Sequence, residues 1–230
     1  MNIKDKSHFD RSAILETIAS GEDISFDFPV LNVTIQEALH FVLDALLEKY
    51  QKTDLHEALY SSLKEMIING VKANMKHHFF NEAGYSAESP EDMAKGYTEL
   101  QNKLNERELE RFEGLARQHK LRIQLSILHS PERIIALVEN NTPMMPVEDE
   151  RIREKFTAAL GYDSIAEFYM DNADDIEGSG LGITMIVLML KANNIDPHAF
   201  TIDTSKNQST IAKIDIPLSS KTDITRNLPD

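Results

Sequence analysis

Three glycines within five residues mark the stretch of the chain that is best suited to bind an anion. Gly178-Ser179-Gly180-Leu181-Gly182 leads directly into an apolar run, residues 183–190, that is long enough for a helix. Glycine lets backbone N–H groups approach a ligand closely, and a helix N-terminus presents unpaired donors and a partial positive charge. Together these features predict a phosphate site. A flexible loop that caps a buried helix fits the same pattern, so the glycines alone leave both interpretations open.

A second stretch, far upstream, supplies polar groups at helical spacing. Glu65, Asn69 and Lys72 lie four and three residues apart, which places them on one face of a helix. A carboxylate, an amide oxygen and an ammonium in a row suit a Mg²⁺-phosphate group, because Mg²⁺ prefers oxygen ligands and phosphate prefers positive charge. An ordinary solvated helix face would also carry such residues.

Taken together, the two stretches resemble the GHKL superfamily of ATPases, which includes the catalytic domains of histidine kinases, anti-sigma-factor kinases, gyrases and mismatch-repair ATPases. Glu65-x-x-x-Asn69-x-x-Lys72 resembles the N-box of this superfamily, and residues 178–182 resemble its second glycine box in the histidine-kinase form. The resemblance covers about residues 24–218. It implies an α+β fold, a two-layer α/β sandwich with a mixed or antiparallel sheet and helices packed on one face (the Bergerat-type ATP-binding fold).

The resemblance also implies roles for individual residues, with ATP and Mg²⁺ as cofactors. Asn69 would coordinate Mg²⁺, and Glu65 would be the catalytic base or lie near the metal. The nucleotide-binding set that it implies is Asn69, Lys72, Ala73, Asn140, Asn141, Gly178, Ser179, Gly180, Leu181, Gly182 and Thr210. Thr210 would lie beneath the adenine, although a strand residue chosen for its β-propensity explains it nearly as well.

The chain departs from the superfamily at the expected adenine pocket. Where the superfamily has Asp-x-Gly-x-Gly, this sequence has Asn140, Thr142 and Met144 at the three defined positions. An asparagine can still accept a hydrogen bond through its side-chain oxygen, but it loses the charge-assisted contact of an aspartate. Such a loss costs about 1–3 kcal/mol of binding free energy. The departure predicts weaker, altered or absent ATP binding.

Hydrophobic periodicity predicts the elements that position these residues. Alternation predicts a strand at 24–28 and two hairpins, whereas spacings of three and four residues predict the helices. The Thr34 to Glu37 segment resembles a capping box and predicts a helix start. The predicted helices are 34–50, about 55–79, 91–118 as one helix or two, parts of 151–169, and 181–193; the predicted hairpins pair 121–127 with 134–138 and 199–203 with 210–216. The acidic segment 170–177 is a candidate mobile lid.

We divide the chain into an N-terminal arm or adapting helix (1–20), one ATP-binding domain (21–218) with a helical insertion at about 91–118, and a C-terminal tail (219–230). The insertion is interpreted as a solvated structural helix in preference to a partner-binding surface. The pair His77-His78 is interpreted as surface or helix-end residues in preference to a phospho-acceptor or metal site. None of the eight histidines has the setting of a histidine-kinase acceptor, so a phosphorylated group would belong to a partner.

Composition excludes several functional classes. The 230 residues carry a formal net charge of −14 at pH 7, which opposes binding to nucleic acid and to anionic membranes. The absence of cysteine excludes disulfides and thiolate metal sites and fits a reducing compartment. No membrane-length apolar run and no signal peptide are evident. We therefore expect a cytoplasmic protein with a nucleotide and a protein partner, and we leave homodimerisation open.

Three functional hypotheses follow from the sequence. The first is a Mg-ATP-binding kinase or ATPase domain of a signal-transduction or two-component system that phosphorylates or regulates a partner in trans. The second is a degenerate interaction module that keeps the fold but binds nucleotide weakly or not at all. The third, a DNA-topology or repair ATPase, is disfavoured by the acidic charge and by the absence of a transducer domain.

Overall fold

A six-stranded mixed sheet and eight α-helices make up the described part of the chain, in agreement with the predicted α+β sandwich. The computed structural model describes residues 1–4, 9–86, 89–101, 106–172, 181–205 and 208–219. The strands are β1 Asn2–Lys4, β2 Ile24–Phe28, β3 Ile123–His129, β4 Arg133–Asn140, β5 Phe200–Thr204 and β6 Thr210–Pro217. Their spatial order is β1-β2-β3-β4-β6-β5. Only β1 and β2 pair in parallel, so the sheet is mixed.

The helices form the second layer of the sandwich. They are α1 Arg11–Ser20, α2 Val33–Lys49, α3 His56–Ala83, α4 Pro90–Gln101, α5 Glu106–Gln118, α6 Pro146–Leu160, α7 Ile165–Asp171 and α8 Leu181–Ala192. The central strands β3 and β4 alternate buried and half-buried residues, and α3 packs against both of them and against α8. None of the helices in the described part of the chain combines the length and apolar character that crossing a lipid bilayer takes.

The N-terminal segment, interpreted as an arm or an adapting helix, packs against the rest of the described chain and is helical in its second half. Residues of β1 pair with β2, and α1 packs on α2 with Ile14 and Ile18 buried in the main core. Asp10 caps α1 by accepting a hydrogen bond from the backbone N–H of Ala13. Two apolar residues four apart are enough to anchor one helical turn to the core, although they are too few to stand out in the sequence.

Helix starts differ in detail from the prediction. The side chain of Asn32, not Thr34, caps α2, since it accepts a hydrogen bond from the backbone N–H of Ile35. A short 3₁₀ turn, Thr53–Leu55, precedes α3, which continues to Ala83, four residues beyond the predicted end.

The helical insertion consists of two helices, α4 and α5. Residue Gly96 of α4 lies against the ring of Phe80 on α3, and Phe80 forms a small apolar cluster with Met93 and Met145. On α5, Phe112 and Ala116 are buried in the main core. Both helices are therefore anchored on the C-terminal half of α3, the helix that carries the predicted N-box.

Candidate functional site

A cavity of about 280 Å³ lies between α3, α6, the start of α8 and the ends of β4, β5 and β6. Its wall is mostly apolar and includes Met66, Val138, Ile152, Ile183, Phe200, Ile202 and Ala212. Five of the residues predicted to bind nucleotide line this one cavity: Asn69, Lys72, Ala73, Asn140 and Thr210. A mostly apolar cleft with a few convergent polar groups is the usual form of a small-molecule site.

The polar stripe of α3 meets the first turn of α8. A Cβ atom added to Gly182 would lie 2.6 Å from Oε2 of Glu65 and 3.0 Å from Nδ2 of Asn69. Only glycine permits this approach without a shift of those side chains. Among the residues that the structure describes, the side chains of Glu65, Asn69 and Lys72 have no hydrogen-bond or ion-pair partner. They are thus available to a ligand at the N-terminal end of α8.

The rest of the predicted glycine box lies outside the described residues. This applies to Gly178, Ser179 and Gly180 and to most of the predicted lid, 173–177. The first lid residues, 170–172, belong to the end of α7 and its cap. Of the glycine box, the structure places Leu181 and Gly182 as the first two residues of α8.

A buried hydrogen-bond network holds Asn140 at the end of β4. Its Nδ2 donates to the carbonyl oxygen and to the hydroxyl of Thr142, at 3.2 and 2.9 Å. The hydroxyl of Thr142 donates to Oδ1 of Asn74 at 2.9 Å, and Nδ2 of Asn74 donates to the carbonyl oxygen of Arg122. The hydroxyl of Thr210 adds a bond to the carbonyl oxygen of Thr142 at 3.0 Å.

This network fixes which side of the Asn140 amide faces the cavity. A carbonyl oxygen can only accept, so the amide nitrogen of Asn140 must point towards Thr142 and its Oδ1 must point the other way. That oxygen lies beside Gly70, where an added Cβ would stand 3.6 Å from it, and both residues line the cavity. The network therefore uses the donors of Asn140 and leaves its acceptor unused, and the role of this residue in binding a ligand stays a prediction.

Two neighbouring positions show what replaced the expected glycines. The side chain of Thr142 is buried within the network, and Met144 lines the cavity. Asn141 is exposed and is not among the residues that line this cavity, and its role in nucleotide binding stays a prediction. Its amide accepts from the backbone N–H of Arg122 and donates to the carbonyl oxygen of Lys120, which holds the connection into β3.

Sequence reasoning missed the cationic wall of the cavity. Lys76 of α3 and Arg151 and Lys155 of α6 line it, together with Glu148, which pairs with Lys76. Burial, followed by the charge of Arg151, lowers the pKa of Lys76 to about 8. The same two causes lower the pKa of Lys155. In a chain of net charge −14, these residues concentrate positive charge in one cleft.

A signal for this wall was present in the sequence. Lys72 and Lys76 are four residues apart on α3, and Arg151 and Lys155 are four apart on α6. Each pair therefore shares a helix face. What the sequence could not show is that the two faces meet across one cavity.

Comparisons with known proteins give little functional information. No protein-family model matches the chain. The chain is 24% identical over 187 residues to an uncharacterized protein of Treponema pallidum (strain Nichols), which covers 81% of this chain and 35% of that protein. The chain thus spans about a third of the length of this relative. A solved structure, the SiaB-SiaC complex from Pseudomonas aeruginosa, contains a chain with 13% identity and a TM-score of 0.42; the match covers 92% of this chain and 99% of that chain.

Proposed function

We propose that this chain is a Mg-ATP-binding, histidine kinase-like ATPase domain that acts in signalling by phosphorylating or regulating a protein partner in trans. One observation carries the proposal. Glu65, Asn69 and Lys72, which have no partner among the described residues, form a stripe that meets Gly182, and Asn69 and Lys72 line the same cavity as Asn140. Groups suited to phosphate and a group suited to a base would thus share one cleft.

The residues present fit the groups that the proposal requires. The carboxylate of Glu65 and the amide of Asn69 supply oxygen donors of the type that Mg²⁺ prefers. Lys72, Lys76, Arg151 and Lys155 supply the positive charge that a polyphosphate needs, and the apolar wall suits a planar base. Oδ1 of Asn140 is positioned to accept a hydrogen bond from an exocyclic amino group, such as that of adenine.

The roles of the protein's own groups in phosphoryl transfer follow from this placement. Bound Mg²⁺ would supply neutralisation of the phosphate charges. Lys72 and the cations of α6 would hold the phosphates, and the first backbone N–H groups of α8 would donate to a terminal phosphate oxygen. Oε2 of Glu65, beside Gly182, would accept the proton of the attacking hydroxyl or water.

Calorimetric titration with ADP and ATP, with and without Mg²⁺, tests the proposal. We expect Mg²⁺-dependent binding that weakens at least tenfold in Asn69→Ala. Asn81→Ala is the matched control, because Asn81 is an exposed amide later on the same helix, and it should bind as the wild type does. Equal ADP affinity in Asn69→Ala and Asn81→Ala would overturn the metal role of Asn69.

A second candidate function rests on the altered end of β4. Thr142 and Met144 fill space that the superfamily leaves to glycines, and the donors of Asn140 are used within the protein. A degenerate fold that binds a protein partner but no nucleotide would show these features. Absence of binding at millimolar ADP and ATP, together with an unchanged melting temperature, would favour this function over the first.

A further inference from the structure

Two imidazoles and a carboxylate converge on the C-terminal half of α3, and none of them lines the cavity. They are His78 and Glu82 of α3 and His119, which directly follows α5. One ligand atom from each lies within 4.8 Å of those of the other two, and the centroids of the two imidazole rings are 4.4 Å apart.

The backbone holds these three residues in place. His78 and Glu82 are four residues apart, so they share one face of α3. The backbone N–H of His119 donates to the carbonyl oxygen of Leu115 at 2.9 Å, which keeps His119 on the last turn of the preceding helix. The side chain of Asn141 holds the residues after His119, because it accepts a hydrogen bond from the backbone N–H of Arg122 and donates one to the carbonyl oxygen of Lys120. The ring of His119 therefore extends from a backbone segment that these hydrogen bonds hold in place.

This donor set has the chemistry of a transition-metal site. Two imidazole nitrogens with one carboxylate oxygen suit Zn²⁺, whereas Mg²⁺ and Ca²⁺ prefer sites made of oxygen atoms alone. Tetrahedral Zn²⁺ with bonds of about 2 Å sets its ligand atoms about 3.4 Å apart. The side chains of Glu82 and His119 are exposed, so small rotations can close the remaining gap.

We propose that His78, Glu82 and His119 bind one Zn²⁺ ion, with water at the fourth position. Because the ligands come from α3 and from the end of α5, the ion ties the helical insertion to the helix that carries Glu65 and Asn69. The site is independent of the proposed nucleotide function. The strongly acidic chain adds a field that favours cation binding.

The neighbouring histidine provides a matched control. His77 is adjacent to His78, but its Nδ1 pairs with Nδ2 of Asn81 at 3.1 Å, and it is not part of the cluster. A variant at His77 therefore removes an imidazole from the same helical turn without removing a ligand. His119 and Glu82 are exposed, so their replacement by alanine is expected to leave the fold intact.

The test is calorimetric titration of tag-free full chain with ZnCl₂, alongside His119→Ala, Glu82→Ala and His77→Ala. We expect one Zn²⁺ per chain in the wild type and in His77→Ala, and at least a tenfold loss of affinity in His119→Ala and in Glu82→Ala. Cobalt(II), used in parallel, should give the visible absorption bands of tetrahedral coordination in the wild type but not in His119→Ala. MgCl₂ should not compete at tenfold excess.

Two results would overturn the proposal. One is Zn²⁺ affinity in His119→Ala equal to that in His77→Ala, which would place any bound zinc elsewhere. The other is hydrogen exchange of residues 106–118 that is unchanged by saturating Zn²⁺, which would remove the link between α5 and α3. Slower hydrogen exchange of residues 106–118 on addition of Zn²⁺, absent in His119→Ala, would support both the zinc site and the link between α5 and α3.

Discussion

Glu65 of α3 and Gly182 of α8 lie so close that a Cβ atom at position 182 would stand 2.6 Å from Oε2 of Glu65. The same atom would stand 3.0 Å from Nδ2 of Asn69. The two stretches that the sequence singled out, more than a hundred residues apart, therefore meet in space. A glycine at 182 lets the polar stripe reach the helix N-terminus, where positive partial charge and unpaired N–H groups are concentrated.

Gly182→Ala should weaken nucleotide binding and leave the free energy of unfolding almost unchanged. The added methyl must displace the ends of Glu65 and Asn69, so we expect Mg²⁺-dependent ADP affinity to fall at least tenfold. Alanine favours helix by about 1 kcal/mol over glycine, and flexible side-chain ends can move, so the free energy of unfolding should change by less than about 1 kcal/mol. Calorimetry and urea unfolding measure the two quantities.

Gly114→Ala is the control for this prediction. Gly114 is exposed within α5, and an added Cβ meets no atom within 4 Å. This variant should keep wild-type ADP affinity and gain about 0.5–1 kcal/mol of stability. If both alanine variants bind ADP equally well, the contact of Gly182 with Glu65 and Asn69 has no role in binding.

Asn140→Asp should destabilise the protein even though it introduces the residue typical of the superfamily. The amide nitrogen of Asn140 donates to Thr142 within a buried network, and a carboxylate would face acceptor atoms there instead. We expect a loss of about 1–3 kcal/mol in the free energy of unfolding, measured with urea. Asn81→Asp changes an exposed residue and should lower the free energy of unfolding much less. A stable Asn140→Asp variant that binds ADP more tightly would contradict this account.

Helical periodicity was sufficient to predict that three polar residues of α3 share one face, and the resemblance to a known family assigned that face a role. Glu65, Asn69 and Lys72 share a face because residues three and four apart always do, and the pairing of β3 with β4 and of β5 with β6 followed from two predicted hairpins. The approach of Gly182 to this face followed from the resemblance to a known fold. The shared face and the hairpins depend on local pattern, which a sequence carries directly.

The rest of the site depends on tertiary placement. Arg151 and Lys155 face Lys76 only because α6 lies beside α3, and no local pattern specifies that neighbour. The buried network that holds Asn140 and Thr142 includes Asn74, sixty-six residues before Asn140. Asn141 follows the last residue of β4, and its side chain bonds the backbone of Lys120 and Arg122, a contact between residues that are far apart in the chain.

Lys76 should give the protein a distinctive dependence of stability on pH. Burial and Arg151 hold its pKa at about 8 in the folded state, against an ordinary value of 10.5, despite the pairing with Glu148. The unfolded chain then binds more protons between pH 8 and 10.5, so stability should rise with pH across that window. The effect is at most about 3.5 kcal/mol at about 1.4 kcal/mol per pKa unit.

Comparison of urea unfolding at pH 7.5 and pH 10 in wild type, Lys76→Met and Lys72→Met tests this. Lys76→Met removes the titrating group, so its stability should rise less with pH than that of the wild type. Lys72 is exposed on the same helix, and its variant should follow the wild-type curve. Parallel curves for all three proteins would show that Lys76 keeps an ordinary pKa in the folded state.

Gly96→Ala should weaken the attachment of the helical insertion to α3. An added Cβ at position 96 would lie 2.5 Å from Cζ of Phe80, whose ring is buried against Met93 and Met145. A buried ring has little freedom to move, so we expect a loss of about 1–3 kcal/mol of stability in spite of the helix propensity of alanine. Faster proteolysis within 90–101 should accompany the loss.

Phe80→Leu provides the rescue, because a smaller side chain leaves room for the new methyl group. Each single variant should be destabilised, and the double variant should be more stable than the sum of the two effects predicts, since the residues are in direct contact. Gly114→Ala again controls for helix propensity. If Gly96→Ala and Gly114→Ala change stability by the same amount, α4 is held to α3 by contacts other than the approach of Gly96 to Phe80.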